Sequence, residues 1–250
     1  MRIIGRLDIK NSNLIKGVNL EGLRKVGDPN DFALKYYESG IDELIFMDSV
    51  ASLYGRNNLN NIIKAATKDI FIPITVGGGV RSIYDAEIIF NSGADKIAIN
   101  TAAVDNPNLI NLLAKKYGSQ SIVLSVEAKK KSDLMWEVFT HNGRESTNID
   151  VIDWVKKAEQ LGAGEILLTS VDKEGTREGF DLDLINSTCE SVNLPIIASG
   201  GFGKISHLRD LCSRTKCDAV AVAYAIHYDK VKIESIREEL LELGQNIRKF

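Results

Sequence analysis

The chain repeats itself at half its length. Shifted by 122 positions, Pro73-Ile74 falls on Pro195-Ile196 and Gly78-Gly79 on Gly200-Gly201, while Gly40 meets Gly162 and Glu43 meets Glu165. A shift of 119 brings Asp8 onto Glu127 and Lys10 onto Lys129, and a shift of 123 brings Asp95 onto Asp218. Self-similarity at a fixed period restricts a chain to folds that use one supersecondary unit again.

The unit is a strand followed by a helix. Short runs, mostly apolar on both faces as buried parallel strands require, occupy 3–9, 43–48, 71–76, 96–100, 122–127, 165–170, 195–198 and 218–223. Amphipathic stretches alternate with them at 31–39, 57–67, 82–91, 107–117, 150–161, 181–191, 204–214 and 232–243. Asp28-Pro29 and Asn106-Pro107 read as helix starts, and Gly40, Gly93, Gly118 and Gly162 as left-handed helix ends. Eight units in 250 residues give about 31 each, which suits an α/β fold of the (β/α)8 TIM-barrel type. A doubly wound sheet is the rival of similar size. The repeat favours the barrel: two half-barrels of four units, residues 1–118 and 119–250 of a single domain, explain every coincidence above. One interruption stands out, 128–148, in which 134–140 reads as a strand and Asn142-Gly143 as a tight hairpin turn. It follows the fifth strand and is expected on the rim, either as a simple elaboration or as a lid.

Composition narrows the function. Hydrophobic residues at 44% and charged residues at 26%, with 20 Gly against 4 Pro, exclude disordered and collagenous chains. With 31 basic residues against 34 acidic, net −3, no basic surplus exists to drive binding to nucleic acid or to a membrane surface. Cys189, Cys212 and Cys217 contain no CxxC pair, so neither a disulfide framework nor a zinc knuckle is indicated. The opening MRIIGRLDIK is charged at residue 2 and does not read as a signal peptide, and no run approaches the roughly 20 apolar residues of a membrane span. The expected location is the cytoplasm.

In a barrel, chemistry belongs at the C-terminal ends of the strands. Asp8 and Glu127 end the first and fifth strands, on opposite sides of the mouth, where two carboxylates suit general acid and general base. Alternatively each pairs with a nearby lysine (Lys10, Lys16 or Lys129) and is structural. Gly77-Gly78-Gly79 and Ser199-Gly200-Gly201 follow the third and seventh strands, and bare glycine N–H groups can face phosphate oxygens. Asn100-Thr101 adjoins the first glycine turn, and Thr169-Ser170 with Asp172–Thr176 adjoins the second. Two such cradles suggest an elongated substrate with a phosphate at each end. Arg2, Glu43, Lys96 and Glu165 begin strands at the opposite face, where a salt-bridge plug serving stability is the default reading. The three histidines share no spacing that supports a metal site or a catalytic triad. No lysine clearly ends a strand inside the barrel, against a Schiff-base aldolase, and neither GxGxxG nor a Walker loop occurs, so no cofactor is expected.

Arg6–Lys10 with Lys16-Gly17, then GIDELIFMD (40–48), VGGGV (76–80), GADKIAINTAA (93–103), Gly118-Ser119-Gln120, GAGEILLTS (162–170) and IIASGG (196–201) together resemble the cyclase subunit of imidazole glycerol phosphate synthase. The likeness runs in register along essentially the whole chain. It implies a (β/α)8 lyase of histidine biosynthesis that works as a heterodimer with a glutaminase subunit of the class I amidotransferase type. With the glutaminase's ammonia, a bis-phosphorylated ribulosyl aminoimidazole carboxamide nucleotide becomes imidazole glycerol phosphate and aminoimidazole carboxamide ribotide. Carried over, the family's first catalytic aspartate falls on Asp8 and its strand-one lysine on Lys16. One phosphate site falls on Gly79, Asn100 and Thr101 with Gly78 beside them, and the other on Gly175, Gly201 and Ala223 with Gly200. The family's charged ammonia gate falls on Arg2, Glu43, Lys96 and Glu165, which replaces the plug reading by a docking face and an ammonia entrance.

Five positions depart from the family pattern. Glu127 and Glu174 stand for aspartates at the second catalytic carboxylate and at the second phosphate site. Tyr224 replaces a small hydroxyl residue, and Gly5-Arg6 replaces Pro-Cys. A carboxylate displaced by one methylene matters, since about 1 Å of misplacement can cost a hundredfold in rate. The pattern leaves alternatives: a paralogue supplying ammonia for sugar amidation in surface-polysaccharide synthesis, to which Val26–Pro29, Arg214-Thr215 and Cys217 look similar, or a barrel that only conducts ammonia and activates the glutaminase. The related ribonucleotide isomerase would share both phosphate sites but would have no ammonia to admit through a gate.

Overall fold

The computed structural model describes residues 1–49, 51 and 59–248. Its first half runs β1 (Arg2–Lys10), β2 (Asn13–Val18), β3 (Glu21–Gly27), α1 (Pro29–Glu38), β4 (Glu43–Asp48), α2 (Asn60–Ala66), β5 (Ile74–Gly77), α3 (Ile83–Asn91), β6 (Lys96–Ile99), α4 (Thr101–Asp105) and α5 (Asn108–Tyr117). The second half runs β7 (Ile122–Ser132), β8 (Met135–Thr140), β9 (Glu145–Asp150), α6 (Val151–Leu161), β10 (Glu165–Ser170) and α7 (Leu182–Ser191). It ends with β11 (Ile196–Ser199), α8 (Ser206–Arg214), β12 (Ala219–Val222), α9 (Tyr224–His227) and α10 (Ile233–Glu242).

Eight strands pair in parallel in the order β1, β4, β5, β6, β7, β10, β11, β12, and β12 returns to β1. The sheet is a closed (β/α)8 barrel, and the doubly wound alternative is set aside. The expected β4 and β10 match their observed bounds, and the other barrel strands differ by a few residues at their ends. Phe71, placed in the third expected strand, lies outside β5 and is exposed. Every expected helix is found, though positions 57 and 58 of the second lie outside the described residues. Asp28 caps α1 through the amides of Asn30 and Asp31, and Gly162 ends α6 in the left-handed conformation.

Strand periodicity stacks the barrel interior in layers. Every second residue of β1 (Arg2, Ile4, Arg6, Asp8) shares one face, because side chains alternate along a strand. Ile4 joins Ile45, Ala98, Val123, Leu167, Ile197, Ala219 and Ala221 in one buried apolar cluster, separate from the larger core formed with the helices. Arg2 lies one step below that layer, while Arg6 and Asp8 lie above it.

The repeat is visible as a repeated hydrogen bond. The Asp95 carboxylate accepts from the Ile74 amide at 2.8 Å, and Asp218 accepts from the Ile196 amide at 2.9 Å. Each aspartate's own amide donates back to the same residue's carbonyl, at 2.9 and 3.0 Å. Asp42 does the same with Ile3, and Arg237 also reaches its carboxylate at 2.9 Å.

One expectation needs correcting: 128–148 is not the only interruption. Residues 13–27 form a second antiparallel arm, β2–β3, on β1, in the position that β8–β9 takes on β7. Sequence periodicity missed it because β3 is largely exposed and the buried positions of β2 include Lys16. The turn expected at Asn142-Gly143 is a wider loop, His141–Arg144, in which His141, Asn142 and Gly143 all have positive φ.

Asp95→Ala and Asp218→Ala should each cost about 1 kcal/mol in urea unfolding, since the lost acceptor lies at the barrel surface. Asp42→Ala should cost about 3 kcal/mol, because Asp42 is buried and Arg237 and Arg248 lose the carboxylate they share. Equal costs at all three sites would contradict this account.

Candidate active site

Arg6 lines two cavities at the C-terminal mouth. The larger, of about 170 Å³, is bordered by Gly78, Gly79, Asn100, Thr101 and Glu127. The smaller, of about 20 Å³, is bordered by Lys16, Glu174, Gly175, Gly200, Gly201, Ala223 and Tyr224. All the residues assigned to the two phosphate sites therefore sit on one mouth, divided as expected. Gly78 and Gly200 adopt matching φ values of 95° and 97°. A Cβ on Gly78 would stand 2.5 Å from the Asp48 carbonyl oxygen, and on Gly200 2.8 Å from that of Ser170. Only glycine lets these turns lie so close to the preceding strand end.

Asp8 sits in a buried ion network. Arg6 Nε donates to its Oδ1 at 2.9 Å, and Lys16 Nζ donates to its Oδ2 at 3.4 Å and also to Glu174. Lys16, carried in by β2, is thus the lysine that Asp8 meets; Lys10 points to solvent, and Lys129 lies over the Phe139 ring at 4.9 Å. Burial pushes the Asp8 carboxyl up, but Arg6 and Lys16 outweigh it and hold Asp8 below the usual carboxylate range. Burial lowers the Lys16 ammonium, yet Glu174 and Asp8 more than restore it, so Lys16 is a cation and not an amine nucleophile.

Glu127 is treated differently. Its Oε2 accepts from the Gly143 amide at 2.8 Å, and among the described residues no lysine or arginine forms an ion pair with it. Burial pushes Glu127 up to about 7, although the Gly143 N–H favours the ionised form. Arg6 feels three carboxylates, Asp8, Glu174 and Glu127. Two buried cations balance two of them, and the third retains its proton more readily. Two acids pushed to opposite sides of their ordinary values are the arrangement that divides general acid from general base.

The hairpin closes over this site. Asn100 Nδ2 donates to the Phe139 carbonyl at 3.1 Å, and the His141 amide donates to Thr101 Oγ1 at 3.2 Å. Asn142 Nδ2 reaches the Leu20 carbonyl at 3.3 Å, so the tips of the two arms meet. The shift of 122 that relates the halves carries Leu20 onto Asn142. The contacts of 141–143 with Glu127 and the first cradle favour a covering role over a simple elaboration.

At the barrel's other end the four expected charges form a closed ring. Arg2 bonds Glu43 at 2.8 Å and also Glu165, while Lys96 bonds Glu43 at 3.1 Å and Glu165 at 2.9 Å.

In the sequence Arg6 stands out only as a departure from the family pattern, and its even spacing from Arg2 and Asp8 is the signal that places it inside the barrel. His227 carried no signal. It ends α9, buried and stacked on Tyr36, with a 2.6 Å hydrogen bond between Nδ1 and the Tyr36 hydroxyl. Burial and the Lys16 charge push it down to about 3, so the ring is neutral beside the Asp8 network.

A family model described as "Histidine biosynthesis protein" matches residues 2–232. The chain belongs to this family. Among curated members, the "Imidazole glycerol phosphate synthase subunit HisF" of Legionella pneumophila is 60% identical over 205 residues, 82% of this chain and 97% of the relative. The protein of the same name from Lactococcus lactis subsp. cremoris (strain SK11) is 46% identical over 242 residues, 96% of this chain and 93% of the relative. That of Streptococcus mutans is 44% identical over 247 residues, 99% and 98% of the two chains. The family resemblance read from the motifs is therefore confirmed. No helix among the described residues is long and apolar enough to cross a membrane.

The raised Glu127 makes stability depend on pH with a definite sign. Between about 4.5 and about 7 the folded chain holds a proton that the unfolded chain has released, so stability falls as pH rises through that window. Glu127→Gln should remove this slope, leaving the variant more stable relative to the parent at pH 8 than at pH 5. Parallel denaturation curves at the two pH values check it; an unchanged difference would contradict the assignment.

Proposed function

We propose that the chain is the ammonia-dependent cyclase of its family. It converts the bis-phosphorylated ribulosyl aminoimidazole carboxamide nucleotide to imidazole glycerol phosphate and aminoimidazole carboxamide ribotide. The observation that carries this reading is the pair of oppositely shifted carboxylates, Asp8 and Glu127, set between two glycine cradles. The cradles can receive the two phosphates through backbone N–H groups, with Asn100 and Thr101 beside one and Lys16 beside the other. Closing a ring with ammonia and breaking a C–N bond requires protons to leave the entering nitrogen and reach the departing one. Asp8, held ionised, is suited to accept them, and Glu127, ready to keep a proton near neutrality, is suited to donate them.

The ring of Arg2, Glu43, Lys96 and Glu165 supports entry of ammonia from the opposite end, with a glutaminase subunit docked over it as a heterodimer. The apolar layer around Ile4 and Leu167 then separates that end from the mouth.

Purified protein with ammonium salt and the bis-phosphate nucleotide should deplete the nucleotide's absorbance. Asp8→Asn should lower kcat by at least 10²-fold, in keeping with loss of a positioned acid–base group. The alkaline limb of kcat/KM should fall near pH 7, where Glu127 loses its proton. No turnover above buffer at saturating ammonium would reject the reading.

The full ion pairing of Asp8 favours one second reading, a barrel that conducts ammonia to another enzyme, such as one amidating a sugar of a surface polysaccharide. In that case Asp8→Asn leaves both glutamine hydrolysis with the partner and formation of the final product intact.

A further inference from the structure

Arg6 is held by three side-chain hydrogen bonds at the mouth. Its Nε donates to Asp8 Oδ1 at 2.9 Å, and its Nη1 donates to Thr169 Oγ1 at 2.8 Å and to Ser199 Oγ at 3.1 Å. Those three partners stand on β1, β10 and β11, so one planar cation ties together three strands of the closed barrel. The side chain is 4% exposed and forms a wall of both cradle cavities. A guanidinium presents its donors in a fixed plane, so anchoring Nη1 also sets the direction in which Nε points. A lysine keeps the charge but offers no second anchored nitrogen.

Among the described residues, nothing bonded to Asp8 substitutes for it. Besides Arg6, the groups facing Asp8 are Lys16 on β2 and the neutral His227 on α9, with Glu174 after β10 and Glu127 on β7 adding negative charge. Asp48 ends the adjoining β4. Lys16 lies farther from Asp8 than Arg6 does, at 3.4 Å, and is shared with Glu174. With Arg6 removed, Asp8 would face two neighbouring carboxyl groups, Glu127 and Glu174, through one shared lysine.

We propose that Arg6 is the positioning residue that assigns the two carboxylates their separate roles: anchored by Thr169 and Ser199, it orients Asp8 and keeps it the ionised partner, which leaves Glu127 as the proton donor. The assignment of roles rests on the cyclase reading above, whereas the effect on Asp8 itself does not.

Both parts can be measured. In a ¹³C-carboxyl NMR titration of the folded protein, Asp8 should stay ionised to the acid limit of folding. In Arg6→Met its midpoint should rise by at least one pH unit. Arg6→Lys should restore most of the ionisation and not the orientation, so its kcat with ammonium should stay at least tenfold down with KM little changed. Thr169→Val with Ser199→Ala frees Nη1 while leaving the charge in place, and covers the case in which Arg6→Met does not fold. That double variant should reproduce the Arg6→Lys pattern, a fall in kcat without a shifted acid limb. An Asp8 midpoint unmoved in Arg6→Met, or full kcat in both Arg6→Lys and the double variant, overturns the proposal. An Asp8 shift as expected, in a parent protein that never turns over the nucleotide, rejects the cyclase reading and leaves the action of Arg6 on Asp8 standing.

Discussion

Closure of the parallel sheet through β1 is the constraint on which the rest depends. β1 is hydrogen-bonded to β12 on one side and β4 on the other, and no open edge remains in the eight-stranded ring. Closure turns a list of strand ends into a circle. Residues more than a hundred positions apart, such as Arg6 and Ser199, then come within hydrogen-bond distance. It also separates two faces: the ion-pair ring of Arg2, Glu43, Lys96 and Glu165 at one end and the carboxylates at the other, with an apolar layer between.

The two ends handle charge differently. At the bottom, two cations and two carboxylates alternate, and Arg2 and Lys96 keep part of their surface in water. Such a ring is nearly self-neutral, and its partial exposure lowers the cost of separating its members. At the mouth the groups are almost wholly buried, and three carboxylates face Arg6 and Lys16. Low polarity magnifies this imbalance, so neighbouring acids diverge instead of titrating alike. Asp8 has Arg6; Glu127 has a backbone amide. The two carboxyls are therefore told apart by the group each bonds, not by the choice of aspartate or glutamate.

The arms show how symmetry serves the site. Each half sends an antiparallel excursion from its first strand, and their tips meet at Leu20 and Asn142. One arm brings Lys16 to Asp8, and the other brings the Gly143 amide to Glu127. The two halves use the same topology with different chemistry, and that difference gives an approximately symmetric barrel two unlike carboxylates.

The sequence by itself determined the barrel, the strand ends that carry the two glycine turns and the four residues of the lower ring. These follow from periodicity: alternation along a strand assigns each residue to a face, and the 122-residue repeat locates equivalent strand ends. Alternation also puts Arg2, Ile4, Arg6 and Asp8 on one side of β1, although it says nothing of their partners. Only the tertiary structure decided that Arg6 anchors on Thr169 and Ser199, that β2 and β3 form a second arm, and that His227 lies neutral beside the Asp8 network. Those outcomes depend on contacts between distant segments and on the exclusion of water. Neither is encoded in local pattern; both appear when the ring of strands closes.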